Sequence, residues 1–210
     1  MFEIHLLEKP NLKTAITSMY MSKGNEQEII NDIQEGNPIV TEDRMKLLKR
    51  WGIDNQHYKL IEGINWSYLV KGLSRGGYDD LRTHGTFSTF VAKSTRYCDE
   101  FEVAPYYSNI YGKSMTKQLE GEIKKRNQSE LFKQDIVRGF YPLSIETPFT
   151  LKTNLHHFLH MINQRGPGTH AHKELKILMR ELVQALDIND KECKWVEKIL
   201  LHKMLGGDKN

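Results

Sequence analysis

The chain of 210 residues is poor in cysteine. It has only Cys98 and Cys193, in no CxxC arrangement, so neither a disulfide framework nor a Cys-rich zinc site organises it. A reducing compartment is the simplest setting. It also lacks any run of about 18 apolar residues, the length a membrane-spanning helix needs. The N-terminus, Met-Phe-Glu-Ile-His-Leu-Leu-Glu-Lys-Pro, carries no basic segment followed by an apolar one. A cytoplasmic chain with no membrane partner is the expectation. Charge of one sign is scarce as well: 30 Lys+Arg stand against 27 Asp+Glu, a net of +3. That is too balanced for a protein that tracks a nucleic-acid backbone over many phosphates, and it leaves room for a small anionic ligand. There is no internal repeat, low-complexity tract or interdomain linker. What is present is ordinary globular composition, 39% hydrophobic and 27% charged. One core of this size buries about 70% of the unfolded surface, so residues 1–210 are expected to form a single domain.

Hydrophobic spacing organises that domain as α+β with more helix than strand. Phe2 to Leu7 reads as a strand, and Leu12 to Met21 as a helix with Ala15, Ile16 and Met19 on one face, closed by Gly24. Thr41 caps a helix through Met45, Leu47, Leu48 and Trp51 that Gly52 is expected to terminate. Ile64 to Val70 is rich in β-formers, and Ser74 can cap a helix beginning Arg75-Gly76-Gly77. Extended chain is expected within Thr86–Glu102. A helix over Ser108–Arg126 has Ile110, Met115, Leu119 and Ile123 as its buried candidates, and another covers Ser129–Val137. After extended chain around Ile145–Lys152, two helices close the sequence. One carries Leu175, Leu178, Met179, Leu182 and Leu186; the other carries Trp195, Val196, Ile199, Leu200 and Met204.

Three features ask for chemistry. His156, His157, His160, His170 and His172 fall within 17 residues. His156 and His160 stand at i and i+4, a spacing that can face one metal. A histidine replaces the glutamate of the zinc-protease pattern, which removes the hydrolytic reading, and lining of a ligand pocket is the better account; no metal is expected. The loop Asn163-Gln164-Arg165-Gly166-Pro167-Gly168-Thr169-His170 offers backbone N–H groups and Arg165 to a phosphate, but lacks the Walker lysine spacing, and a plain turn explains it equally well. The third feature is the richest. Between Ser74 and Arg96 the chain interleaves Arg75, Arg82, His84, Ser88, Lys93, Ser94 and Arg96, followed by Tyr97. Guanidinium and ammonium groups suit phosphate, hydroxyls orient, and rings stack, so this set fits an anionic aromatic ligand.

At these residues the sequence resembles the flavin-dependent thymidylate synthases. That family's signature runs Arg-His-Arg, two residues, Ser, one residue, Asn-Glu, one residue, Ser-x-Arg-Tyr. Its tail is intact as Ser94-Thr95-Arg96-Tyr97, whereas Thr83-His84-Gly85 stands at its head. Ser88 follows at the right distance, one extra residue intervenes before Ser94, and Val91-Ala92 replaces Asn-Glu. His57 and Glu62, Arg138-Gly139-Phe140-Tyr141-Pro142-Leu143, Asn154-Leu155-His156-His157, and His170-Ala171-His172-Lys173-Glu174-Leu175 resemble further family segments in the family's order. The likeness spans roughly residues 50 to 186.

The resemblance implies a helix-rich domain with a central antiparallel sheet, assembled as a homotetramer with its sites between subunits. It implies FAD as cofactor, with NADPH and methylenetetrahydrofolate as co-substrates for C5 methylation of a pyrimidine nucleotide such as dUMP. By position, Ser94, Arg96, Arg138 and Arg165 would hold the nucleotide, with Arg138 and Arg165 closest to catalysis. His57, Glu62, His84, Ser88 and Asn154 would lie along the flavin. Cys98 is not expected to act as a nucleophile. The lost arginines on either side of His84, with Asp79 where the family has a glutamine, leave an alternative: a divergent nucleotide-binding member that has lost flavin chemistry.

Overall fold

A computed structural model of the chain describes residues 2–83, 88–93, 102–127, 141–187 and 189–206. The architecture is a helix-rich α+β fold around a four-stranded antiparallel sheet of order β1-β2-β4-β3. The strands are β1 (Glu3–Glu8), β2 (Asn65–Lys71), β3 (Thr89–Ala92) and β4 (Phe149–Asn154).

Alternation along the strands decides which face is core. Register places Ile4 opposite Val70 and Leu6 opposite Tyr68 on one side. On the other, Tyr68 faces Leu151, Val70 faces Phe149, and Phe90 faces Leu151. These side chains share one face, since successive residues of a strand point to opposite sides. The opposite face is polar and laced with ion pairs, Lys71 to Glu3 at 2.9 Å and Lys152 to Glu8 at 3.1 Å.

Three helices supply the layer that covers the apolar face: α7 (Leu155–Arg165), α8 (Lys173–Gln184) and α9 (Lys191–Met204). Phe158 packs on Trp66 with ring centroids 5.4 Å apart. The buried Tyr68 hydroxyl donates to the Leu182 carbonyl at 2.9 Å, and burial pushes its pKa up. The N-terminal helices α1 (Lys13–Ser22), α2 (Glu26–Glu35) and α3 (Glu42–Leu48) enlarge the core through Ile16, Met19, Ile29 and Leu48. Arg44, only 8% exposed, ties α3 to α2 by contacts of 2.5 Å to Asp32 and 2.7 Å to Glu28.

Thr41 caps α3, and Ser74 caps α5 (Arg75–Arg82) by accepting from the Gly77 N–H at 3.0 Å. Two expectations are corrected. Gly52 does not end a helix: α3 continues into a π-helical turn, Lys49–Asp54, that contains it. A Cβ there would meet Ile61 Cγ2 at 2.5 Å, so this glycine serves the close approach of α4 (Tyr58–Ile61). The long helix α6 (Pro105–Asn127) is broken at Gly112, with φ 75° and ψ 162°. Of its expected core residues, Ile123 is buried, but Ile110 and Met115 are 61% and 56% exposed. The break separates Ile110 from Met115, Leu119 and Ile123; Met115 shares its half with the buried Ile123 and is exposed nonetheless. The helix expected over Ser129–Val137 lies outside the described residues.

Gly52→Ala is expected to destabilise the protein by about 1–3 kcal/mol through overpacking against Ile61. Gly121→Ala, in α6 with open space around it, is expected to stabilise by about 0.5–1 kcal/mol. Urea unfolding midpoints of the two variants compare them directly.

Candidate functional site

Antiparallel pairing brings the start of β2 beside the end of β4, with Asn65 opposite Asn154. Four of the residues expected along the flavin gather at this end of the sheet. Asn154 is the N-cap of α7, its Oδ1 accepting from the His157 N–H at 2.8 Å. Ser88, just before β3, donates its hydroxyl to Thr153 Oγ1 at 2.8 Å. Glu62 follows α4 and lies 3.2 Å from His156 Nδ1 and 2.9 Å from Lys59 Nζ. His57 precedes α4 and stacks on Trp51 at 5.8 Å, and Lys23 lies 3.6 Å from the Trp51 ring centre. Lys59, with desolvation opposing and His156 assisting, holds the Glu62 carboxyl below its ordinary 4.5.

This end also carries a platform that sequence reasoning missed. Tyr58 and His156 stack nearly parallel, with centroids 4.6 Å apart and planes 5° apart. Tyr58 is 38% exposed, so part of this aromatic pair reaches the surface. No spacing rule joins residues 98 positions apart; only the β2–β4 pairing does.

A second group forms around α5 and the distal end of α7. Arg165 ends α7, eleven residues from Asn154 and therefore about 16 Å along the helix axis. Its guanidinium donates to Asp80 Oδ1 at 2.5 Å, while its Nε is buried without a hydrogen-bond partner among the described residues. Asp79 pairs with Arg75 at 3.1 Å, and its other oxygen is likewise buried and unpartnered. Beneath them Glu174, fully buried, accepts from both the backbone N–H and the hydroxyl of Ser74, at 2.9 and 2.6 Å. Arg165 thus stands apart from His57, Glu62, Ser88 and Asn154. Ser94, Arg96, Arg138 and His84, with Cys98, lie outside the described residues.

The histidine cluster disperses onto different partners. His156 joins Tyr58 and Glu62; His157 is 4% exposed with its ring 6.0 Å from that of His160; His172 packs against Tyr106 and Tyr107. Among the described residues no three His, Cys, Asp or Glu side chains gather as metal ligands. The glycine loop is a turn: Thr169 donates to the Gly166 carbonyl at 2.8 Å, and a Cβ at Gly166 would meet the Ile162 carbonyl at 2.5 Å. Cys193 is buried, and burial pushes its thiol up to about 11, so it is no thiolate near neutral pH.

The helix-rich α+β fold with its central antiparallel sheet is that of the thymidylate synthase X structures. The sequence pattern of the family described as thymidylate synthase complementing protein matches residues 6–187, and the chain belongs to that family. Among solved structures it is similar to thymidylate synthase X from Helicobacter pylori, seen with FAD and dUMP, at 20% identity and a TM-score of 0.71. The match covers 96% of this chain and 99% of that one. A second Helicobacter pylori structure with the same ligands matches at 19% identity and TM-score 0.69, covering 89% and 95%. The UMP/dUMP methylase PolB from Streptomyces cacaoi, bound with 5-Br dUMP, matches at 13% and 0.68, covering 88% and 89%. No curated protein sequence matches the chain significantly.

Asn154→Ala is expected to cost about 1 kcal/mol by uncapping α7, with Asn154→Ser largely neutral. Glu62 contributes stability that is fully present above its ordinary 4.5 and lost as pH falls through its lower folded value. Glu62→Gln should therefore cost about 0.5 kcal/mol at neutral pH and low salt, the exposure of Lys59 keeping the loss small. Below the folded value the wild type and variant stability curves, measured by chemical denaturation, should converge.

Proposed function

We propose that this protein is a flavin-dependent methyltransferase that acts at C5 of a dUMP-like pyrimidine nucleotide, using methylenetetrahydrofolate and NADPH. The observation that carries the reading is the convergence of His57, Glu62, Ser88 and Asn154 at one end of the sheet in a chain of this family.

The residues present suit the planar and hydroxylated parts of FAD. The Tyr58–His156 pair offers aromatic surface, and the Glu62 carboxylate accepts from ligand hydroxyl or N–H groups. When bound, the flavin supplies the hydride chemistry. The chain's own contribution is positioning. Glu62 stays ionised near neutral pH, because Lys59 and His156 hold its carboxyl low. Asn154 spends its carbonyl oxygen on α7 and keeps its amide N–H groups for the ligand. Ser94 and Arg96, which follow Lys93 directly in sequence, together with Arg138, are proposed to hold the nucleotide phosphate and ring. His84 is assigned to the flavin.

The arrangement around α5 limits what Arg165 can give. Its guanidinium is engaged by Asp80, and Arg75 by Asp79, so neither is a free cation for phosphate. This favours one other reading, a family member that keeps a nucleotide pocket without flavin chemistry. Ile110, Met115 and Leu143 expose apolar surface, which supports assembly as a homotetramer with sites shared between subunits.

The absorption spectrum of the purified protein tests the cofactor. Bound flavin, with conversion of dUMP to dTMP in the presence of both co-substrates, is the expected result. A colourless protein that does not take up added FAD overturns it, and thermal stabilisation by dUMP but not by FAD supports the other reading. Glu62→Ala is expected to lower flavin occupancy about tenfold or more through the loss of a charged hydrogen-bond acceptor.

A further inference from the structure

A second concave surface lies between α3 and α9, built by residues that the proposed site does not use. It is a groove of about 820 Å³ with Met45 and Trp195 among its lining residues and Lys46, Lys191, Lys194 and Lys198 around it. The volume falls in the range that small-molecule ligands occupy. Lys191, Lys194, Trp195 and Lys198 stand at i, i+3, i+4 and i+7 of α9, so they share one face of that helix. Lys191 and Lys198 are about 10 Å apart along its axis.

Among the described residues this face carries an excess of positive charge. Glu42 is the one carboxylate in the lining, against four ammonium groups. The neighbouring acids are turned to other work. Asp187 and Asp190 pair with Lys9 at 2.9 and 3.4 Å, Asp190 also caps α9, and Glu192 accepts from the Leu12 N–H at 2.6 Å. Among the described residues, Glu197, at i+3 from Lys194, makes no ion pair with it, and Lys191, Lys194 and Lys198 make no ion pair. Lys46 pairs with the exposed Asp43, at 3.2 Å. Like charges three and four residues apart on a helix repel, and a bound polyanion would relieve that repulsion. Trp195 is half-buried against the core, so its indole is held in place while part of it faces the groove.

The geometry points to a binding site for a nucleoside polyphosphate in this groove, its base against Trp195 and its phosphates along Lys191, Lys194 and Lys198. A single phosphate would leave most of a 10 Å row of charge unmatched, whereas a chain of phosphates spans more of it. Stacking on the fixed indole supplies the preference for a planar base.

Equilibrium binding of ATP and of inorganic tripolyphosphate to the full chain, at low and raised salt, tests the site. Saturable ATP binding that weakens with salt is expected. The double variant Lys194→Glu/Lys198→Glu should weaken it by about tenfold or more with an unchanged unfolding curve, since both side chains are exposed. Trp195→Leu should weaken ATP by about tenfold while leaving tripolyphosphate nearly unaffected. Equal ATP binding by wild type and the double variant overturns the assignment, and so does the absence of saturable binding. Tighter binding of a single-stranded oligonucleotide than of ATP also overturns it, in favour of a nucleic-acid surface. The double variant leaves the groups around β2, β4 and α5 intact, so retention of flavin or dUMP binding separates failure of this site from failure of the proposed function.

Discussion

The buried contact between Glu174 and Ser74 organises the half of the molecule around α5. A carboxylate with no exposure is costly to bury unless it is hydrogen-bonded, and here it accepts from the backbone and hydroxyl of one residue. That residue leaves β2 and starts α5, so a single contact ties the central sheet, the helix after it and α8 together. The same hydroxyl caps α5 through Gly77, where a Cβ would meet the Glu174 carboxylate at 2.8 Å. Ser74, Gly77 and Glu174 therefore form one unit, and α5 presents Arg75, Asp79 and Asp80 from a fixed base.

With α5 held in this way, the polar groups divide between two places. At the β2–β4 end the side chains are aromatic, amide, hydroxyl and carboxylate, suited to a planar, hydroxylated partner. At α5 and the end of α7, two arginines meet two aspartates. In that pairing Arg75 and Arg165 each already have a carboxylate partner, Asp79 and Asp80. A buried Asp79 oxygen and a buried Arg165 Nε are nevertheless left unpartnered among the described residues. Such groups are costly without a hydrogen bond, so this region keeps unspent capacity for a polar ligand.

Much of the fold was legible because it rests on local rules. The strand from Ile64, the caps at Thr41 and Ser74, and the apolar stripes of α8 and α9 each follow from spacing within one segment. The failures share the opposite cause. Gly52 looks like a terminator in sequence, yet it is a contact point for Ile61. Ile110 and Met115 look like core candidates in the sequence, yet both are exposed, and Gly112 breaks the helix between them. The short helix α4 and the π-helical turn before it are set by packing, which leaves no periodic trace over so few residues.

The sequence by itself determined the class of the fold and the family, since ordered motifs survive even where individual residues have changed. It also marked Glu62 and Asn154 as site candidates. Only the tertiary structure decided which groups meet. Antiparallel pairing of β2 with β4 brings Tyr58 onto His156 and Glu62 beside it, and the return of α7 along the sheet delivers Arg165 to Asp80. The physical reason is range: hydrogen-bonded caps and hydrophobic periodicity act over a few residues and can be read in order. Ion pairs and ring stacks form between segments about a hundred residues apart, and their partners are chosen by strand register and helix length.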